Sequence, residues 1–286
     1  MPELPEVEII KKSLQKNVLF KKIDNVLIKN RNLRFKIQRN FKKLIVGKKI
    51  INITRKSKYL IVHLEKNCFL IFHFGMSGTL HLIRNNNMHH TNLSFYNCKI
   101  LPKKHNHVEF FFSSFKIVYN DPRRFGFLKF LFSYNELKNF FNNIGPEPLE
   151  SNFNFNYIKK KLRNKKKNIK NLLLDQKFVS GLGNIYVNEI LYYSKINPNI
   201  RGKYINNYKI KQIIKYSKEI LKKAIKKGGS TIKDFKNVGG KIGSFQKEFK
   251  VYNRENRNCL RKDCSGKIER IVISNRSTFM CKYCQK

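Results

Sequence analysis

Val7, Ile10, Leu14 and Val18 recur at spacings of three, four and four, which predicts one apolar stripe on an N-terminal helix. Pro and Glu at the start of that stretch suit a helix's first turn. The pattern then changes. Residues 23–131 carry short runs rich in β-branched and aromatic residues with partial alternation: Tyr59–Leu64, Phe69–Phe74, Val108–Phe112 and Phe115–Tyr119. Gly75, Gly78 and Asp121-Pro122 punctuate them. A β-sandwich or flattened barrel beside the first helix is expected. Residues 85–105, with Asn85-Asn86-Asn87 and His89-His90, read as an extended loop.

Gly145-Pro146-Glu147-Pro148 breaks the strand pattern. From Tyr157 to Lys227 the periodicity is helical, with apolar faces on Leu172–Leu174, on Ile185, Val187, Ile190 and Leu191, and on Ile210, Ile213, Ile214, Ile220, Leu221 and Ile225. Ser180-Gly181-Leu182-Gly183-Asn184 makes a tight two-glycine turn between two of these helices. Residues 228–256 read as loop and linker, and 257–286 as a small cysteine-anchored unit. The expected fold class is multidomain α+β. Its parts are an N-terminal helix-plus-β-sandwich domain (1–132), a linker (133–150), a helical domain (151–236), and a further linker leading to a C-terminal hairpin unit (237–286).

At 286 residues the chain can build two domains with their own cores. Its net charge of +43, from 61 Lys+Arg against 18 Asp+Glu, calls for a polyanionic partner. Part of that charge matches a general enrichment in Lys, Asn, Ile and Phe, the residues favoured by A+T-rich coding. No run of eighteen apolar residues predicts a membrane span, and the N-terminus has no apolar signal region, so a cytoplasmic protein is expected.

Six cysteines are present. Cys68 and Cys98 stand alone in apolar surroundings and read as buried thiols. Cys259, Cys264, Cys281 and Cys284 cluster at the C-terminus, with a CxxC at Cys281–Cys284. Two cysteine pairs so separated are the pattern of a zinc ribbon in a reducing compartment. Four residues intervene in the first pair, within the usual ligand spacing.

The stretch with the clearest chemistry is Met1-Pro2-Glu3-Leu4-Pro5-Glu6-Val7-Glu8. Removal of Met1 leaves Pro2 as a secondary amine, and a terminal amine titrates at about 7.7–8.0. A useful fraction is therefore uncharged and nucleophilic. Condensed with a sugar aldehyde, it gives a permanently charged iminium. Glu3 and Glu6 lie close enough to exchange protons with whatever the amine attacks. The helix dipole lowers the amine's pKa and the glutamates raise it; the sequence leaves the balance open.

PELPEVE is followed in order by KSKYL, HFGMSG, DPRRFG, GPEPL, LLLDQ, GLGNIY, GGSTIKDF and the cysteine-bearing end. Across nearly its whole length the chain resembles the formamidopyrimidine-DNA glycosylases, bacterial enzymes that remove oxidised purines from DNA. The resemblance implies a helix–two-turn–helix domain and one structural zinc held by Cys259, Cys264, Cys281 and Cys284. The family's first cysteine pair is CxxC, from which this chain departs. It also implies Pro2 as nucleophile, Glu3 as proton donor and Glu6 as its assistant. Lys58 and Arg276 would contact phosphates beside the lesion and assist elimination. By composition alone both would be solvated cations of a basic protein.

Met76, Arg123 and Phe125 match the residues that fill the gap left by an extruded nucleotide, although Met76 and Phe125 read on their own as core. His105, Lys166 and Asn184 match DNA contacts, and Lys233 falls in a loop that closes over the flipped base. The implied partner is double-stranded DNA containing oxidised bases, bound by a monomer. Two other readings compete. One is the sister endonuclease VIII family, which prefers oxidised pyrimidines and is disfavoured by Leu4–Val7 and by the Met, Arg and Phe set. The other is a non-catalytic nucleic-acid-binding protein.

Overall fold

The computed structural model describes residues 2–84, 91–92, 103–230 and 244–286. Helix α1 (Leu4–Val18) begins at Glu3, whose extended backbone precedes a first turn containing Pro5 and Glu6. Val7, Ile10, Leu14 and Val18 are all buried, as the stripe requires. They meet the inner faces of two antiparallel sheets in one continuous core.

The first sheet contains β1 (Asn25–Ile28), β5 (Thr79–Arg84), β6 (Thr91–Asn92), β7 (Asn106–Phe112) and β8 (Phe115–Asn120), in the order β1-β7-β8-β5-β6. The second contains β2 (Ile50–Lys56), β3 (Tyr59–Leu64), β4 (Cys68–His73) and β9 (Phe127–Leu131), in the order β2-β3-β4-β9. A short helix α2 (Phe41–Ile45) lies between β1 and β2 and packs on β1.

Strands β3 and β4 read as nearly continuous apolar runs because both of their faces are covered. Leu60, Val62, Leu70 and Phe72 join the core shared with the first sheet. Ile61, Phe69 and Ile71 face the other way, under Leu137 of α3 (Tyr134–Phe141). Cys68 is a buried free thiol; Cys98 lies outside the described residues.

The chain divides into two compact units, 1–142 with 227–246 and 143–226 with 247–286. Residues 227–246 therefore return to the first unit rather than continuing the helical region. The reason is local: the Ser230 amide and hydroxyl bond Glu6 of α1, and the Phe245 amide bonds the Gly229 carbonyl.

The second unit is built from α4 (Phe155–Leu162), α5 (Ile169–Leu174), α6 (Asn184–Tyr193), α7 (Asn207–Lys226) and the hairpin β10–β11 (Ile268–Ile273, Arg276–Cys281). Between α5 and α6 the turn closes on Gln176. Its amide nitrogen donates to the Leu174 and Leu182 carbonyls, and its oxygen accepts from Gly181, whose φ of +89° suits glycine. The buried Glu189 carboxylate of α6 accepts from the amides of Lys250, Val251 and Tyr252, which fixes the segment leading to the cysteines.

Candidate active site

In the first unit, Pro2, Glu3 and Glu6 are buried at the start of α1. The Glu6 carboxylate accepts the Glu3 amide at 3.0 Å, which satisfies one of the donors a helix start leaves free. Its other oxygen accepts the Ser230 amide at 2.9 Å and the Ser230 hydroxyl at 2.8 Å. Both Gly228 and Gly229 have positive φ, and a Cβ on Gly229 would lie 3.3 Å from that same carboxylate oxygen. Lys233, further along this segment, lies outside the described residues.

Lys58 sits in the two-residue turn joining β2 to β3, after Ser57 at φ +56°. It is only 6% exposed, so it is not a solvated cation. The turn is tied to α1 through Arg55, which donates to Glu8 at 3.0 Å and to the Ser57 carbonyl at 2.9 Å. Lys58 also acts on His73. Burial, the Lys58 charge and the Arg34 charge together push the His73 imidazole down to about 4. Its Nδ1 accepts from the Gly75 amide at 3.2 Å.

Met76 and Phe125 are 44% and 49% exposed, so neither is a core residue. The Arg123 guanidinium lies 3.7 Å from the Met76 sulfur. Their two loops touch through backbone: a Cβ on Gly75 would stand 2.4 Å from the Phe125 carbonyl carbon. His105, half-buried in a short turn, accepts the Asp121 amide on its carbonyl. Asp121, which in the sequence reads only as part of a turn, is wholly buried among these loops.

In the second unit, Asn184 opens α6 and donates its side-chain amide to the Ser277 carbonyl at 2.9 Å. Arg276 is exposed at the head of β11, beside a turn in which Ser274 and Asn275 both have positive φ. Lys166 is exposed. Lys170, which the sequence reading did not single out, is fully buried. It donates to the Ser277 carbonyl at 3.1 Å and to the Thr278 hydroxyl at 2.6 Å. Burial first, and then the nearby Arg276 charge, bring its ammonium down to about 8. The clue lay in its place between two apolar positions of α5, Ile169 and Leu172.

Cys259, Cys264, Cys281 and Cys284 bring their sulfurs within 4.8 Å of one another. Tetrahedral zinc thiolate bonds of about 2.3 Å put sulfurs about 3.8 Å apart. Cys259–Cys284 is 3.8 Å and Cys264–Cys281 3.5 Å, so the donor set fits a metal ion. Burial pushes the Cys259 thiol up, but hydrogen bonds led by the Tyr192 hydroxyl outweigh it and bring it down to about 7.

The model of the formamidopyrimidine-DNA glycosylase N-terminal domain matches residues 1–128, and that of the family's H2TH domain matches residues 144–236. The chain belongs to the formamidopyrimidine-DNA glycosylase family. It is 44% identical to the Rickettsia bellii formamidopyrimidine-DNA glycosylase, with 100% of each chain covered. It is 40% identical to the Zymomonas mobilis one, again with 100% of each covered. Among solved structures it resembles a Lactococcus lactis Fpg mutant in complex with Fapy-dG-containing DNA, at TM-score 0.88, 33% identity and 100% coverage of both chains. It also resembles the Lactococcus lactis Fpg bound to DNA containing an abasic site, at TM-score 0.87, 33% identity and 99% coverage of both. Membership of this family accounts for the mixed fold, the two-glycine turn and the clustered cysteines together.

Proposed function

We propose that this protein is a DNA glycosylase and abasic-site lyase of base excision repair, acting on oxidised purines in double-stranded DNA as a cytoplasmic monomer. The observation that carries the reading is the buried N-terminal turn, in which Pro2 precedes two buried carboxylates on Glu3 and Glu6. The relatives' names and their lesion-containing DNA complexes support the substrate class.

With Met1 removed, the Pro2 nitrogen attacks the anomeric carbon of the flipped nucleotide while the damaged base departs. Glu3 supplies a proton as the sugar ring opens, and Glu6 assists. The iminium draws electrons and acidifies the neighbouring carbon. Successive β- and δ-elimination then cut the strand on both sides and leave a one-nucleotide gap. Lys58 and Arg276 hold phosphates beside the lesion. Met76, Arg123 and Phe125 occupy the vacated stack, where a pliable thioether and an aromatic ring wedge between bases and the guanidinium donates to the orphaned cytosine.

His105, Lys166, Asn184 and Lys233 contact the DNA. The four cysteines hold one structural zinc, which stabilises the hairpin presenting Arg276.

The test is borohydride trapping on a duplex carrying a single oxidised guanine. A covalent complex through Pro2 is expected, weakened by Pro2→Gly and blocked when Met1 is retained. Equal trapping with Met1 in place would overturn the assignment.

A further inference from the structure

We propose that Asp121 is the positioning residue for opposite-base recognition, holding Met76, Arg123 and Phe125 in one rigid presentation. The proposal rests on the reading of those three residues as gap-fillers. Asp121 is fully buried, and among the described residues its carboxylate accepts from neutral donors alone. Oδ1 accepts the Ser77 hydroxyl; Oδ2 accepts the Gly126 amide at 2.8 Å and the Tyr119 hydroxyl at 3.3 Å. The Ser77 oxygen in turn accepts the Arg123 amide at 3.1 Å.

Ser77 directly follows Met76, and Gly126 directly follows Phe125. One carboxylate therefore fixes the residue next to each apolar wedge and, through Ser77, the backbone of the arginine between them. The backbone of Asp121 extends the anchor. Its amide donates to the His105 carbonyl, and its carbonyl accepts from the Arg124 amide and from His107 Nε2 at 2.8 Å.

Three donors converging on two oxygens need an acceptor-only group. An amide at this position would turn an NH2 toward the Gly126 amide or the Ser77 hydroxyl, leaving a buried donor unpaired. The loops have no slack to absorb the mismatch, since Gly75 and Phe125 already touch through backbone and a Cβ on Gly126 would lie 1.9 Å from the Tyr119 hydroxyl oxygen. Asp121 itself is buried and reaches no surface. It acts by limiting where Arg123 can point.

The experiment measures single-turnover excision from duplexes with one 8-oxoguanine opposite cytosine or adenine, for the wild type, Asp121→Asn, Ser77→Ala and Arg123→Ala. Arg123→Ala should flatten the cytosine preference. Asp121→Asn should lower the cytosine-to-adenine ratio by about tenfold, and Ser77→Ala should lower it by less, in the same direction. A purely structural role would slow both substrates alike and leave the ratio unchanged.

If Arg123→Ala flattens the preference while Asp121→Asn and Ser77→Ala keep it, the positioning role is overturned and the gap-filling reading stands. If Arg123→Ala itself leaves the ratio unchanged, the gap-filling reading fails and takes this proposal with it. Should Asp121→Asn fail to fold by near-ultraviolet circular dichroism, Ser77→Ala decides, because it spares the bonds to Gly126 and Tyr119.

Discussion

Glu6 and Ser230 are joined by two hydrogen bonds across 224 positions of sequence, 2.9 Å from the serine amide and 2.8 Å from its hydroxyl. The segment after α7 is thus anchored on the first turn of the helix that Pro2 and Glu3 precede. Gly229 makes that approach possible with φ +81° and no side chain. Gly229→Ala should cost about 1–2 kcal/mol through the left-handed backbone. Its Cβ also crowds the Glu6 carboxylate, so covalent trapping should slow by more than the loss of folded protein explains. Thermal unfolding and trapping rate, measured on the same preparation, separate the two effects. Trapping at the wild-type rate would show that Glu6 need not be held by this segment.

His73 makes the stability of the fold depend on pH. Its folded pKa, about 4, lies below the ordinary 6.5 because of burial and the Lys58 and Arg34 charges. The unfolded chain therefore binds more protons between these values, and stability is lost as pH falls from about 6.5 toward 4. The full effect is on the order of 3 kcal/mol. Protonating Nδ1 also breaks the bond from the Gly75 amide, next to Met76. In urea titrations from pH 7 to pH 4, the stability difference between wild type and His73→Asn should shrink with acid. A difference that does not change with pH would contradict the buried neutral imidazole.

Lys170 has the opposite working range. Its ammonium is brought down from 10.5 to about 8, so the folded state releases this proton first. Between pH 8 and 10.5 the unfolded chain holds more protons, and the Lys170 contribution to stability rises with pH across that window. Lys170→Met has no such group. The wild-type advantage over the mutant should therefore grow from pH 8 to pH 10. The mutant should also bind duplex DNA more weakly at neutral pH, because Ser277 and Thr278, next to Arg276, lose their donor. Equal binding by both proteins would separate Lys170 from the presentation of Arg276.

Much of this arrangement was legible in the sequence, and what was not has a common cause. The α1 stripe and the runs at Tyr59–Leu64 and Phe115–Tyr119 follow from periodicity, which is local. Helix α2, five residues long, offers too short a window for any period to show. Lys58 reads as solvated because it follows Arg55 and Lys56, yet the hairpin turn folds it inward. Met76 and Phe125 read as core because exposure depends on which loop carries them. Asp121 and Ser77 meet across 44 positions, and Lys170 and Thr278 across 108. Such pairings depend on tertiary closure, which residue spacing does not encode.

Four residues separate Cys259 from Cys264, and the structure gives one of them a task. Arg261 stacks on the Tyr192 ring, 4.5 Å from its centroid, and donates to the Tyr192 and Tyr193 carbonyls at the end of α6. A guanidinium there suits the negative end of the helix. The Tyr192 hydroxyl lies 3.3 Å from the Cys259 sulfur, so the longer loop docks on α6 and Cys259 still joins the other three sulfurs. Asp263, next to Cys264, would struggle to reach the same ion in tetrahedral geometry, and residues 257–286 contain no histidine. Cys259 is thus the best fourth ligand for the proposed zinc. Wild-type protein should hold one zinc per chain after exhaustive dialysis against a mild chelator, and Cys259→Ser should lose it. With the metal gone, the hairpin presenting Arg276 should loosen and DNA binding fall, while the β-sandwich unit keeps its circular dichroism. Zinc held as firmly by the Cys259→Ser protein would exclude Cys259 as a ligand.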